Sequence, residues 1–405
     1  MIVGCGRQAA ALVYDFCRWG RDLFETMVLA DRDPAQIKKL TSRVTAALKQ
    51  DGLRPSRFIA KKVNAAKPAE LRRLIKGSRM VISASHYAIN PLVAKAAVSA
   101  GVNFADLGGY LESSLEIQKL SRAARKKGIF LAPDLGLAPG LSNILAGWGL
   151  RAMEPGMDLG IYCGGLPERP VGPLGYKIVF AVDGLWGTHF GKTVILRDGK
   201  PFEVETLTEV EPVDFPSIGK LEALITSGAL ATAPWTLGGK VRNYAYKTLR
   251  YPGYTEKIRL LRDLGLTQTK PRKVGRVSVV PRELLSQLFF EKLAFPEVRD
   301  FVALRVTAEG VLISSQERKR VVFEALEWAD PRLGFSAMER TTGFPAAIAA
   351  QMLLRQPVSG FVIQEEAIDT DRFIDELKKR NIQVTRREQP CQQPKSEKNP
   401  QLAAA

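Results

Sequence analysis

Histidine is almost missing from this chain, with only His86 and His189 among 405 residues. A metal centre built from imidazole ligands is therefore not expected. Cysteine is scarce as well. Cys5, Cys17, Cys163 and Cys391 form neither a disulfide framework nor a C-x-x-C spacing, which points to a reducing, cytoplasmic compartment. No apolar run reaches membrane-spanning length, since Arg, Lys, Gly or Pro breaks the richest ones. The opening MIVGCG has no basic segment ahead of an apolar one, so a secretory signal is not expected. Negative charge is in the minority: 42 Asp+Glu face 59 Lys+Arg, a formal net charge of +17. The cations fall in short clusters such as Arg72-Arg73 and Arg125-Lys126-Lys127, spread from end to end without interleaved aromatics. That distribution suits a basic surface open to anionic cofactors and substrates, and neither nucleic acid nor a membrane is expected as a partner.

What is present reads as a packed globular protein. Hydrophobic residues make up 45% and charged residues 25%, and the length suits two domains. Over residues 1–138 short apolar runs alternate with helical periodicity. Met1-Ile2-Val3, Met27 to Ala30, Phe58 to Ala60, Met80 to Ile82, Val102 to Asp106 and Ile129 to Ala132 read as strands, with a helix predicted over Leu111 to Lys127. Strict alternation implies a Rossmann-type doubly wound parallel sheet. Three residues before the first glycine make a short strand, or one that begins upstream.

From 139 to 338 the pattern becomes α+β with a largely antiparallel or mixed sheet. Gly160 to Cys163 and Lys177 to Phe180 read as strands, and Asp198-Gly199 as a hairpin turn. Residues 339–385 return to the first domain through an Ala-rich helix introduced by Thr341 to Pro345, and 386–405 are expected to be a disordered tail. A strand-rich second domain could pair edges across a two-fold axis, so a homodimer is expected.

Gly4-Cys5-Gly6-Arg7-Gln8-Ala9 is a G-x-G-x-x-A turn between strand and helix. Gly4 permits the tight turn, Gly6 admits a pyrophosphate, and Arg7 and Gln8 open the helix beside it. Asp31 ends the second strand, where a carboxylate accepts ribose hydroxyls and favours NAD, whereas the adjacent Arg32 leaves room for NADP. Later strands end in polar clusters at the same sheet edge: Ser83-Ala84-Ser85-His86-Tyr87, Asp106 to Tyr110, and Pro133-Asp134-Leu135-Gly136. Ser83 and Ser85 are candidates for cofactor contact.

Asp106 to Tyr110 followed by Asp134 to Asn143 resembles the saccharopine dehydrogenase-like superfamily. Gly164 to Pro167, Pro173 to Lys177, Lys247 to Gly253 and Thr341 to Met352 resemble its lysine 6-dehydrogenase branch. The resemblance, over about residues 1 to 380, implies a dinucleotide-binding domain, an inserted second domain before the return helix, and NAD-linked oxidation of an amine. The chain departs from that branch at Thr188-His189-Phe190, where the branch has an acidic-aromatic pair, and at Tyr254, where it has histidine. It departs again near Gln364-Glu365-Glu366, where the branch has Pro-Glu.

Oxidising a lysine-type amine first requires its ammonium, with a reference pKa near 10.4, to lose a proton, at a cost of about 4.6 kcal/mol at pH 7. With so few histidines, Asp106 and Tyr87, and then Asp134, are the candidates for that work. Arg250 is the candidate for a substrate carboxylate, with Tyr176 and Lys177 lining the pocket. The leading reading is oxidative deamination of a small amino-acid substrate, L-lysine at its 6-amino group. Saccharopine- or carboxynorspermidine-type imine chemistry is the second, which two separate carboxylate-binding arginines would favour. A catalytically silent nucleotide-binding regulator is the third.

Overall fold

The computed structural model describes residues 1–54, 56–179 and 182–391. Six strands open the chain: β1 Ile2–Val3, β2 Thr26–Asp31, β3 Arg57–Lys62, β4 Met80–Ser83, β5 Asn103–Asp106 and β6 Phe130–Ala132. With Gly360–Phe361 they form one parallel sheet, in which β6, β5, β4, β1, β2 and β3 are neighbours in that order. Strand order reverses between β1 and β4, the crevice where doubly wound sheets bind ligands. The first helix, α1 Ala9–Trp19, is buried over Ala9 to Cys17 because it lies between this sheet and a later helix. Local chemistry fixes the crossovers. Asp33 accepts from the Ala35 amide (2.9 Å) to cap the helix Pro34–Gln50, and left-handed Gly101 stops the helix Asn90–Ala100.

Among the described residues the second sheet has nine strands and is mixed. Met157–Pro167 runs parallel to Val241–Arg250 and antiparallel to Asp300–Val311, which pairs in turn with Arg318–Trp328. The hairpin at Asp198-Gly199 joins Lys192–Arg197 to Lys200–Glu205, with positive φ at both turn residues. The fold class is therefore the expected one.

Several boundaries differ from the sequence reading. The segment before Gly128 divides into two helices, Leu111–Gln118 and Ser121–Lys126. Lys177 to Val179 is not a strand, and Phe180 lies outside the described residues. The return helix starts at Ala337, ahead of Thr341, because Ser336 and Glu339 form a reciprocal cap and Asp300 accepts from the Ala337 and Met338 amides (2.9 and 3.0 Å). Order also extends past 386. Thr385–Pro390 adds an edge strand to the second sheet, where Arg386 lies over the Trp148 ring (4.1 Å) and Arg387 pairs with Glu324. The rest of the expected tail, 392–405, lies outside the described residues.

The helix Ala337–Leu354 crosses α1 at Gly343, where a Cβ would come within 2.5 Å of the Leu12 amide nitrogen. Beside that crossing a buried ion pair ties the chain's end to its start. Asp15 accepts from Gln351 Nε2 (2.9 Å) and pairs with Arg380 from the helix Thr370–Lys379 and its cap. Removing one partner would strand a buried charge. Asp15→Ala is expected to cost about 3–5 kcal/mol in chemical denaturation, whereas Lys379→Ala, on an exposed pair, should change stability by less than about 1 kcal/mol.

Candidate active site

The glycine turn after β1 is held open by its neighbours. Gly4 has φ +92°, and a Cβ there would lie 2.6 Å from Ser85 Oγ and 2.7 Å from the Ala84 carbonyl carbon, so no side chain fits. A Cβ on Gly6 would meet nothing within 4 Å, which leaves the face in front of α1 clear. Asp31 turns one carboxylate oxygen to the Cys5 amide (2.7 Å) and the other to the Asp33 amide (2.9 Å), fixing the turn against β2. The resulting cleft of about 540 Å³ is bordered by Gly4, Gly6, Asp31, Arg32, Asn64 and Ser85. Gln8 Oε1 is buried without a partner at the start of α1. An open helix N-terminus and a glycine cradle fit a dinucleotide pyrophosphate.

A second cavity, of about 430 Å³, adjoins this cleft, and Ala84, Ser85 and His86 line both. One wall comes from the first sheet's edge, with Gln8, Tyr87 and Leu107 to Gly109. The facing wall comes from the second sheet. Tyr246, Thr248 and Arg250 occupy alternate positions of the strand Val241–Arg250 and therefore share one face. Thr226 on the adjoining chain segment meets Thr248 hydroxyl to hydroxyl (2.6 Å), and Thr248 donates to the Tyr246 hydroxyl (3.3 Å).

Arg250 is 3% exposed and carries the cavity's charge. Its guanidinium lies over the rings of Tyr176 (4.7 Å) and Tyr254 (5.2 Å) and donates to the Leu249 carbonyl (2.8 Å), while Nε has no partner. Aromatic faces compensate part of its desolvation but leave directional donors for a bound anion. His189 bonds through Nε2 to the Tyr254 hydroxyl (3.1 Å) and through Nδ1 to Thr188 Oγ1 (2.9 Å). Burial, and then the nearby Arg250, push its pKa well down, so the ring is neutral. Two of the positions at which the sequence departs from the lysine 6-dehydrogenase pattern are thus one contact. Burial pushes the Cys163 thiol on the same wall up to about 12, which keeps it protonated.

The structure separates the expected residues into distinct groups. Tyr87, Ser85, Gln8 and Arg250 line the cavity, and Tyr87 stacks on Tyr110 (4.7 Å between ring centres). Gly4, Gly6, Asp31 and Arg32 line the dinucleotide cleft; Arg7 is exposed and lines neither. Ser83 is buried and donates to Asn90 Oδ1 (2.8 Å). Tyr176 supports Arg250 from behind, and Lys177 Nζ reaches the Val298 carbonyl instead of the cavity. Asp106 and Asp134 lie beneath the cavity-lining loop. Asp106 Oδ1 accepts from the Gly108 (2.7 Å) and Asp134 (2.9 Å) amides, and Ser114 donates to Asp134 (2.6 Å). The sequence reading missed Thr226, Tyr246 and Thr248. The alternation of 246, 248 and 250 along one strand was the available signal for two of them.

Residues 1–131 match the family model described as the saccharopine dehydrogenase NADP binding domain, and residues 136–382 match the saccharopine dehydrogenase C-terminal domain. The mitochondrial alpha-aminoadipic semialdehyde synthase of Mus musculus is 26% identical over 358 residues, covering 71% of this chain and 38% of that protein. The chain thus spans under two fifths of the first curated relatives it matches. Saccharopine dehydrogenase (NADP(+), L-glutamate-forming) of Saccharomyces cerevisiae is 23% identical over 393 residues, 78% of this chain and 85% of that one. The solved apo saccharopine dehydrogenase (L-Glu forming) from Saccharomyces cerevisiae superposes with a TM-score of 0.73 at 19% identity, covering 96% of this chain and 99% of that one. Homospermidine synthase from Legionella pneumophila gives 0.61 at 12% identity, with 96% and 91% covered. At these identities the two structures show a common fold.

Three buried carboxyls near the cavity bind protons tightly. Burial lifts Asp106 to about 7; burial and then the Asp106 charge hold Asp134 well above the ordinary range; burial lifts Glu365 to about 7. The folded chain keeps these protons where the unfolded chain releases them, above about pH 4. Stability should therefore fall as pH rises towards about 7, by about 1.4 kcal/mol per pH unit for each retained proton. Thermal unfolding between pH 5 and 8 should show this slope, and Asp134→Asn, which tolerates the left-handed backbone at φ +66°, should flatten it. An unchanged slope in that variant would remove Asp134 from the account.

Proposed function

The chain belongs to the saccharopine dehydrogenase family, and from that premise we propose that it is a nicotinamide-dinucleotide-linked oxidoreductase acting on a carbon–nitrogen bond of an amino-acid substrate. The observation that carries the reading is Arg250: a buried guanidinium with an unpartnered Nε, in a cavity that shares a wall with the dinucleotide cleft. A substrate carboxylate seated there would satisfy the donor and lock the reacting carbon against the shared wall. When bound, the nicotinamide ring accepts hydride from that carbon in one direction and donates it in the other.

The protein's own groups have the remaining tasks. In the oxidative direction the substrate nitrogen loses a proton, the carbon loses hydride, and water adds to the resulting imine before the C–N bond breaks to aldehyde and amine. Tyr87, on the sheet-edge wall, is the proposed contact for the nitrogen and the attacking water. Asp106 and Asp134 are proposed to act through the Leu107–Gly109 loop, which they position. Thr226, Thr248 and Tyr246 offer hydroxyls to the polar remainder of the substrate.

NADP is favoured over NAD, a reversal of the preference drawn from Asp31 alone. Both Asp31 oxygens already accept loop amides, and the exposed Arg32 stands at the rim of the cleft. Saccharopine-type imine chemistry is the first reading of the substrate, as the relatives' names suggest. Deamination of lysine at its 6-amino group is the second, favoured by one feature. Among the described residues a single arginine lines the cavity, which suits a substrate with one carboxylate. A cytoplasmic homodimer completes the proposal.

The test follows reduced-nicotinamide formation with saccharopine, lysine, ornithine and diamines, each with NADP+ and NAD+. Turnover of saccharopine or lysine is expected, and dinucleotide binding without turnover of any amine would refute the enzymatic reading. Arg250→Lys keeps the charge but loses the fork, and should raise KM for the carboxylated substrate by roughly a hundredfold, about 2.7 kcal/mol. Arg32→Ala should weaken NADP+ about tenfold while leaving NAD+ nearly unchanged.

A further inference from the structure

The segment that joins the helices Tyr254–Asp263 and Pro281–Lys292 combines a run of cations with exposed apolar side chains. From Leu264 to Val280 it carries four cations, Lys270, Arg272, Lys273 and Arg276, and no Asp or Glu, and Arg282 follows in the first turn of the second helix. Its centre is a hairpin, Arg272–Val274 against Val277–Val279, which forms a two-stranded sheet separate from the two main ones. Every residue from Pro271 to Ser278 is exposed. Val274 and Val277 face each other across the strands, each 60% exposed. They share one face of the hairpin with Arg272 and Val279.

The flanking helices continue this character. Leu260 and Leu264 stand one turn apart at the end of the first helix, and Leu284 and Leu288 one turn apart on the second, all exposed. Phe290 is 70% exposed. Seven of the twelve large apolar side chains that are exposed among the described residues fall between positions 260 and 290. A two-stranded hairpin gains little stability by itself in water, and this one leaves its valines uncovered.

We propose that this hairpin and its flanking helices dock peripherally on an anionic lipid surface. The charge pattern selects a polyanion, since each cation near an anionic bilayer adds to the attraction and the hairpin itself carries no carboxylate to subtract from it, the nearest in sequence being Asp263 and Glu283 on the flanking helices. The apolar side chains select lipid over nucleic acid, because valine and leucine beside lysine and arginine enter the headgroup boundary but gain nothing from phosphodiesters. The finger's separation from both main sheets leaves it free to meet a flat surface. No spanning segment is needed, consistent with the fact that no described helix is long and apolar enough to cross a membrane. A second copy of the chain is a poor occupant, because a two-fold contact would set these cations against themselves.

The experiment is co-sedimentation of the full chain with phosphatidylcholine vesicles containing or lacking phosphatidylglycerol, at low and high salt. Binding is expected only to the anionic vesicles and should weaken as salt rises. The triple variant Arg272→Glu, Lys273→Glu, Arg276→Glu should bind about a hundredfold more weakly. Val274→Ser with Val277→Ser should weaken binding at both salt concentrations. Both variants change exposed residues remote in sequence from the cavity, so an unaltered thermal transition verifies that each is folded. The proposal is overturned if the parent ignores anionic vesicles or if binding survives the charge reversal. Tighter retention on single-stranded DNA that the valine variant leaves untouched would overturn it equally, as would capture by a polyglutamate matrix in place of vesicles.

Discussion

Gly343 of the return helix sits against the Leu12 amide of the first helix, in a space where any Cβ would collide with backbone. This approach brings together segments that lie at opposite ends of the chain. It buries both helices almost completely, and the Asp15–Arg380 pair with Gln351 fixes its register. The same return helix lends Met338 and Thr342 to the second cavity, and Asp300 on the second sheet accepts from its first amides. One crossing therefore sets how the two sheets face each other, and with that the width of the space between Tyr87 and Arg250. A side chain at position 343 would press on the cavity as well as on the core.

The cavity itself is an exercise in charge without a counter-charge. Arg250 is desolvated, stacked on tyrosines and given a main-chain carbonyl and the Tyr254 hydroxyl but no carboxylate; His189 beside it is neutral. Opposite, Asp106 and Asp134 are buried under a loop, where burial lifts Asp106 to about 7 and holds Asp134 well above the ordinary carboxylate range. Negative charge is thus reduced beneath the loop, while the far wall keeps a fixed positive one. Such a field draws an anionic group to one end and orients whatever is attached to it.

Much of this was legible in the sequence, for identifiable reasons. The glycine turn, Asp31 and the alternation of strands and helices are local signals, and the parallel sheet followed from them. Arg250 could be singled out as a candidate because a planar fork suits a carboxylate, and the structure places it in the cavity wall. Lys177 could not be separated from it: both stand in strand-like, aromatic-flanked stretches, and only the fold turns Lys177 towards Val298. Asp106 and Asp134 mark the correct sheet edge, but whether a strand-end carboxylate points into a crevice or under a loop depends on contacts from residues far along the chain. Thr226 was invisible because its place beside Thr248 depends on strand pairing. The edge strand Thr385–Pro390 looked like a tail because its side chains are polar; its order comes from backbone pairing and from Arg386 on Trp148, which composition does not report.

The three residues Ala84, Ser85 and His86 line both the dinucleotide cleft and the proposed substrate cavity. Ser85 Oγ also donates to the Val3 carbonyl (3.2 Å), which roots that shared wall in β1, the strand leading into the glycine turn. A movement of this segment on one side is a movement on the other. Any coupling between the two proposed ligands through this short stretch of main chain is reciprocal, each changing the other's affinity by the same factor. Order of addition, as much as pocket shape, becomes a property of that wall.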